Sequence, residues 1–312
     1  MTDVSSGFSR PVALGVAITD SHIRIVRLEL RDTPVVTDAV SLRLSPGDVI
    51  DGYVCHQQAV VDLLRRVWDQ LKLTWEPVYV ALCSPDAQLV TVDLNDPDAL
   101  ELVMDNLGVG RPQAGDSIVG LEIGGVPGFA AMNVARLSSI LRIQELADTA
   151  GISLAGVDTL PCSLARSQPA ACYDPHETAL RYNDGRSVWS IRLGGYVATT
   201  LSSPPLGDRN PDDKPTFDRI ALGTETSITS VVQLADVRVS EKLAARFSVA
   251  ELAVPVGAAL SATENGIAKC DLRSAPTIAT PEETTAEPGM TWVVYQPTEV
   301  VDSRAKRRRR PA

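Results

Sequence analysis

The chain has 312 residues, 44% of them hydrophobic and 4% aromatic, which fits an ordinary α/β or α+β globular protein of one large or two medium domains and not a disordered chain. Its net charge is −10 although the last nine residues carry six basic ones, so the body is more acidic still and disfavours general nucleic-acid binding. No apolar run approaches the roughly 18 residues of a membrane span, and the first twenty residues lack the charged start and continuous apolar stretch of a secretory signal; the expectation is a cytoplasmic protein. Cys55, Cys83, Cys162, Cys172 and Cys270 are odd in number and show no CxxC spacing, which argues against a disulfide framework and a zinc site.

Two apolar runs, Val12 to Ile18 and Ile23 to Leu30, flank Thr19-Asp20-Ser21-His22 and predict a hairpin. A third strand is expected at Val35 to Leu44, a turn at Gly47, Asp51 and Gly52, and a helix over Ala59 to Leu73, where Val60, Leu64, Val67 and Leu71 recur at helical spacing. Strands follow at Val78 to Cys83 and Leu89 to Leu94, then a helix near Leu100 to Leu107 and a strand pair, Ser117 to Ile123 and Gly128 to Val134. Leu137 to Ala150 reads as an amphipathic helix capped by Gly151, followed by strand Ser153 to Thr159 and a short helix after Pro161.

From about residue 176, strands Thr178 to Tyr182, Val188 to Leu193 and Tyr196 to Leu201, divided by Asn183-Asp184-Gly185 and Gly194-Gly195, predict an antiparallel meander. Ser203 to Pro215 is expected as a loop, Glu225 to Val232 and Ser240 to Phe247 as helices, Glu251 to Val254 as a strand and Gly257 to Thr263 as a helix. Beyond Pro276 the chain is rich in Thr, Glu and Pro with one apolar island, Trp292 to Tyr295.

The order of three phrases resembles the PilM-type family of type IV pilus assembly proteins, within the actin-like ATPase superfamily. The first is LGVAITDSHIRIVRLEL with SPGDVIDGYV and the helix VVDLLRRVWDQL, where Pro46, Gly47, Ile50, Asp51 and Gly52 fit the family's Pro-Gly-x-Ile-x-Asp-Gly. The others are VYVALCSPDAQLVTVDL and LADTAGISLAGVDTLPCSLAR. The resemblance is clearest over residues 10 to 168. It implies a two-lobed actin-like (RNase H-like) α/β fold, divided as 1–10 extension, 11–175 first lobe with an inserted subdomain, 176–272 abbreviated second lobe and 273–312 tail.

An actin-like ATPase brings two Gly-containing turns and two acids to the nucleotide phosphates and Mg²⁺. By that resemblance the first acid falls on Ala17 and the first glycine on Thr19, while Asp20 and Ser21 suit a polar turn. The second acid falls on Arg181 and its glycine on Asn183, with Asp184 and Gly185 beside them; the adenosine-binding Gly-Gly falls on Ala235-Asp236. The expectation is therefore no ATP, no Mg²⁺ and no catalysis.

His22, His56 and His176 are too dispersed for a metal site, and no Walker A, GxGxxG, GxSxG or HExxH phrase is present. Asp96-Pro97-Asp98 is expected to cap a helix. The basic run Arg304, Lys306, Arg307, Arg308, Arg309 and Arg310 suits an anionic lipid surface or a solvated tail.

The expected function is a scaffold at the inner membrane that docks to the cytoplasmic segment of a membrane protein. The alternatives are a weak ATPase using Asp20 and Asp184, or a regulator binding nucleic acid through the Arg run.

Overall fold

The computed structural model describes residues 11–93, 95–96, 118–126, 129–168, 178–184, 188–194, 197–203, 214–221, 227–228, 234, 237–263, 271–275 and 277–279. Strand β1 (Val12–Ile18) is the centre of the first sheet. It pairs antiparallel with β2 (His22–Glu29) and parallel with β6 (Val78–Leu82), and β2 continues to β3 (Val35–Arg43). Strand β10 (Leu154–Thr159) adds parallel to β6. The order β10-β6-β1-β2-β3 has one further member, β16 (Arg238–Val239), parallel to β3. A strand covered on both faces reads as an almost unbroken apolar run, which is why VALGVAI carries no charge and is buried from Ala13 to Ile18.

Helix α1 (Gln57–Leu71) buries Val60, Val61, Leu64 and Val67, as its spacing predicts. Helix α2 (Leu137–Ala150) packs on α1 and lies along β10 and β6. It stops at Gly151 in the left-handed conformation, with Ile152 N–H bonded to the Ala147 carbonyl. Between β6 and α2 lie β7 (Gln88–Asp93), β8 (Ile118–Val126) and β9 (Phe129–Arg136), the inserted subdomain. Strands β11 (Thr178–Asn183), β12 (Val188–Gly194) and β13 (Val197–Ser203) form the expected meander. The helix expected near residues 100 to 107 and the caps at Pro97 and Asp98 lie outside the described residues.

Strand β14 (Thr216–Ala221) pairs with β11 and was not foreseen; β15 (Ser227–Ile228) is a strand within the segment expected as helix Glu225 to Val232. Strand β14 is held by pairing with β11 far earlier in the chain, a non-local term that local propensity does not carry, and β15 is held by β14 in turn.

Glu251 to Val254 is not a strand and Gly257 to Thr263 is not a separate helix. Both fall in helix α5 (Val249–Ala259), which follows the short helix α4 (Glu241–Ala244). Ser248 and Glu251 form a reciprocal capping box that starts α5, and Pro255 lies inside it. Its residues are buried on every side, so the polar face that would have betrayed a helix is missing.

Helix α5, late in the chain, packs on β1, β2 and β6 of the first lobe. Its backbone reaches β1 only because residue 15 is glycine: a Cβ there would stand 1.7 Å from the Pro255 carbonyl oxygen. On its other flank it meets helix α3 (Leu160–Arg166), where a Cβ on Gly257 would lie 1.8 Å from the Ser163 carbonyl oxygen.

At that crossing, Asp158 is buried. It accepts from Arg166 at 2.6 Å, Asn133 at 2.7 Å and Ser163 at 3.1 Å, and Arg166 also donates to the Gly257 carbonyl at 3.0 Å. A charge so deep is tolerated when paired and hydrogen-bonded.

Residues 271 to 275 lie against the first lobe. Asp271 and Arg273 clasp the outer edge of β10. Val157 N–H donates to Asp271 at 3.1 Å, while the Arg273 guanidinium donates to the Leu154 and Ala155 carbonyls at 2.7 and 2.6 Å. These side chains take the place of a neighbouring strand on an otherwise open edge. Strand β17 (Thr277–Ala279) then pairs antiparallel with β8.

Two outcomes follow. Gly15→Ala should lower stability by about 3 kcal/mol or more in urea unfolding, since the clash is with backbone, whereas Gly151→Asn, with nothing within 4 Å, should cost no more than about 1 kcal/mol. Burial alone would raise the Asp271 pKa, but the hydrogen bonds from Arg273 and Val157 outweigh it and hold it below 3.8. A lowered folded pKa contributes stability above the unfolded value that is lost as pH falls through the folded one. The difference in urea midpoint between the parent and Asp271→Asn should therefore be present at pH 7 and shrink below pH 4.

Candidate functional site

The carboxyl ends of the parallel strands β1 and β6 are where open α/β sheets place ligands, and three chain segments converge there. In the first turn, Thr19 N–H and hydroxyl both donate to the His22 carbonyl, at 2.9 and 3.0 Å, and the hydroxyl accepts from His22 N–H at 3.2 Å. Thr19 is buried, so the side chain at this turn is fixed.

Asp20 reaches sideways. Its two carboxylate oxygens accept from Asp51 N–H at 3.0 Å and Gly52 N–H at 2.8 Å. Those amides form the tip of a small hairpin, β4 (Val49–Ile50) with β5 (Tyr53–Val54), in which Asp51 and Gly52 both have positive φ. Gly52 is required for a second reason: a Cβ would lie 2.6 Å from the backbone of Cys83 and Ser84 at the end of β6.

The start of this hairpin is fixed by buried Asp48, which accepts from Ser45 N–H at 3.0 Å and contacts His56 Nδ1 at 3.2 Å. The Pro46 to Gly52 phrase is thus a packing device that positions the first turn. Ser21 is spent locally on His22 Nδ1 at 2.9 Å.

The register sets Ala17 opposite Arg24 on the face that α5 covers. Ala17 is 1% exposed and Arg24 5%, and Arg24 Nε has no hydrogen-bond partner among the described residues. The position expected for an acid therefore carries a methyl group beside a buried guanidinium.

From the second lobe, β11 contributes buried Tyr182, whose ring packs on Trp189 and Phe217 with centroids 6.2 and 5.9 Å apart. Burial pushes the Tyr182 hydroxyl up, against the pull of Arg24. Burial likewise pushes the Cys83 thiol up, reinforced by Asp184 and Asp20 and opposed by Arg24. Cys83 thus feels charge from both turns.

Of the residues expected at this site, Ala17, Thr19, Asp20, Ser21 and Asp184 are brought to it. Arg181 and Asn183 lie in β11, opposite Ser190 and Val188 of β12 and Asp218 and Thr216 of β14. Gly185, Ala235, Asp236, His176 and the run from Arg304 to Arg310 lie outside the described residues.

Sequence reading missed Arg24, Cys83 and Tyr182. A signal for Arg24 did exist: by strand alternation it shares a face with Val26 and Leu28, an odd place for a charge. Among the described residues, no group of three or more His, Cys, Asp or Glu side chains could hold a metal ion, and no helix is long and apolar enough to cross a membrane.

The strand order β3-β2-β1-β6-β10, with β2 alone antiparallel to its two neighbours and a second sheet beyond, defines an actin-like fold. The chain is similar to a solved structure of the PilM–PilN type IV pilus biogenesis complex, at 18% identity and TM-score 0.49 over 62% of this chain and 61% of that one. It is also similar to the cytoplasmic domain of EpsL, an inner-membrane component of the Vibrio cholerae type II secretion system, at 15% identity and TM-score 0.38 over 61% and 69%. A third is the ethanolamine utilization protein EutJ of Carboxydothermus hydrogenoformans, at 15% identity and TM-score 0.37 over 63% and 53%. The chain thus spans about three fifths of the PilM–PilN chain it matches. No family model matches the sequence, and no curated protein matches it.

The buried thiols should resist chemistry that an exposed one accepts, because only the thiolate reacts. Iodoacetamide at pH 7.5 should label Cys55 in the native protein and Cys83 and Cys162 only after denaturation, as read by peptide mass spectrometry; Cys55 is exposed and the other two are buried.

Proposed function

We propose that this protein is a non-enzymatic actin-like scaffold whose former nucleotide cleft is filled by its own side chains. One observation carries the reading: Asp20 uses both carboxylate oxygens on the amides of Asp51 and Gly52. Buried Arg24 beside Ala17 supports it, since a fixed cation next to a missing acid opposes Mg²⁺ binding. Thr19 supports it sterically.

The partner class comes from the sequence resemblance. On that basis the scaffold docks to the cytoplasmic segment of an inner-membrane protein, in a type IV pilus or a related envelope machine, and works at the cytoplasmic face of that membrane.

A second reading, a weak ATPase, draws on the two turn acids, Asp20 and Asp184, which both act on Cys83. Titration of MgATP into the protein by calorimetry separates the two. The scaffold reading expects no binding heat up to millimolar nucleotide, together with co-purification of a single-span membrane protein from solubilised inner membranes. Micromolar, Mg²⁺-dependent binding that disappears in Asp184→Ala would establish the ATPase instead.

A further inference from the structure

A groove of about 640 Å³ opens far from the cleft, between the carboxyl half of α2, the start of β10 and Arg273. Its rim is apolar on one side. Leu141 is 53% exposed there, and Ile152 and Leu154 are half-buried. Trp75, 86% exposed, stands at the same end of the sheet, just before the point where Val78 N–H donates to the Ser153 carbonyl. Among the described residues Leu141, Trp75 and Ile50 are the exposed large hydrophobic side chains, so two of the three gather at this end.

The other side of the groove is acidic. Glu145 and Asp148, one turn apart on α2, are exposed, and neither carboxylate takes part in an ion pair among the described residues. The cations nearby make their hydrogen bonds elsewhere: Arg273 to Asp271 and the β10 carbonyls, Arg65 to the Thr149 carbonyl, Arg142 to the Val54 carbonyl. The groove thus offers two carboxylates without a salt-bridge partner among the described residues, next to apolar surface.

The same chain supplies the complementary chemistry. Trp292 to Tyr295 is its apolar island, and Arg304, Lys306 and Arg307 to Arg310 are its densest positive charge. Position favours the match. Arg273 lines the groove and Ala279 is the last described residue, so the chain leaves the described residues within about 20 Å of the groove, given at most ~3.5 Å per residue. Residues 280 to 303 then have ample length to return. A tethered ligand faces its site at an effective concentration near the millimolar range, which compensates for the weakness of each exposed ion pair.

We propose that the segment from Trp292 to Arg310 docks on this groove of its own chain, its apolar island on Leu141 and Leu154 and its basic run on Glu145 and Asp148. The contact makes the basic run a regulated element, withheld from other acidic surfaces until something displaces it. This inference stands apart from the state of the nucleotide cleft and from the scaffold reading.

Zero-length carbodiimide coupling on the full chain at low salt tests it, because Lys306 is the one lysine after Ala279. Lys306 should link to Glu145 or Asp148 within one chain. In Glu145→Gln/Asp148→Asn, whose two sites are exposed enough to leave the thermal midpoint unchanged, trypsin should cut the Arg run at least threefold faster than in the parent, relative to a reference site.

Lys306 links found only elsewhere in the chain, or only between two copies, would overturn the proposal. An unchanged cleavage rate would also overturn it. Protection that arises only when phosphatidylglycerol vesicles are added would assign the basic run to lipid instead.

Discussion

The contact between Gly15 and the backbone of α5 organises the molecule. A strand and a helix ordinarily stay apart by the thickness of their side chains, and here a missing Cβ lets the Pro255 carbonyl approach β1 directly. That approach fixes α5 across β1, β2 and β6. It also brings a late part of the sequence back onto the first lobe and closes the face on which Ala17 and Arg24 meet. Gly257 repeats the device against α3. With two backbone-to-backbone contacts, α5 has little freedom to shift, and the Asp158 to Arg166 pair beside it is correspondingly dry.

The cleft that results is built differently from one that cradles phosphate. Phosphate sites rely on bare backbone N–H groups and on acids free to hold a metal. Here the amides of Asp51 and Gly52 are already taken by Asp20, the first turn is closed by a threonine hydroxyl, and a thiol, a phenol and a guanidinium are buried nearby. Each of these hydrogen bonds ties one segment of the protein to another and favours a fixed relation between the elements around them.

Much of this was legible along the chain where the signal is local. The β1–β2 hairpin, α1, α2 with its Gly151 cap and the β11 to β13 meander each carry their own periodicity and punctuation. Helix α5 did not: Val, Pro and Ala in a fully buried helix look like a strand, and only the Ser248 to Glu251 spacing hinted otherwise. Strands β14 and β16 are held by neighbours far back in the chain, so no window of sequence contained the cause, and β15, two residues long, is held by β14 alone. The Asp271 and Arg273 clasp is invisible for the same reason, since its partners are backbone atoms more than a hundred residues earlier.

By itself the sequence determined that Ala17 and Thr19 stand at the end of the first strand and at the turn after it, because identity is a property of the residue. What surrounds them was decided only by tertiary structure. Pairing register set Arg24 opposite Ala17, packing of the β4–β5 hairpin gave Asp20 its two amides, and the fold lets the charge of Asp184 act on the buried Cys83 thiol. Charge acts through space and is strengthened by burial, and neither distance nor burial is written in the order of residues.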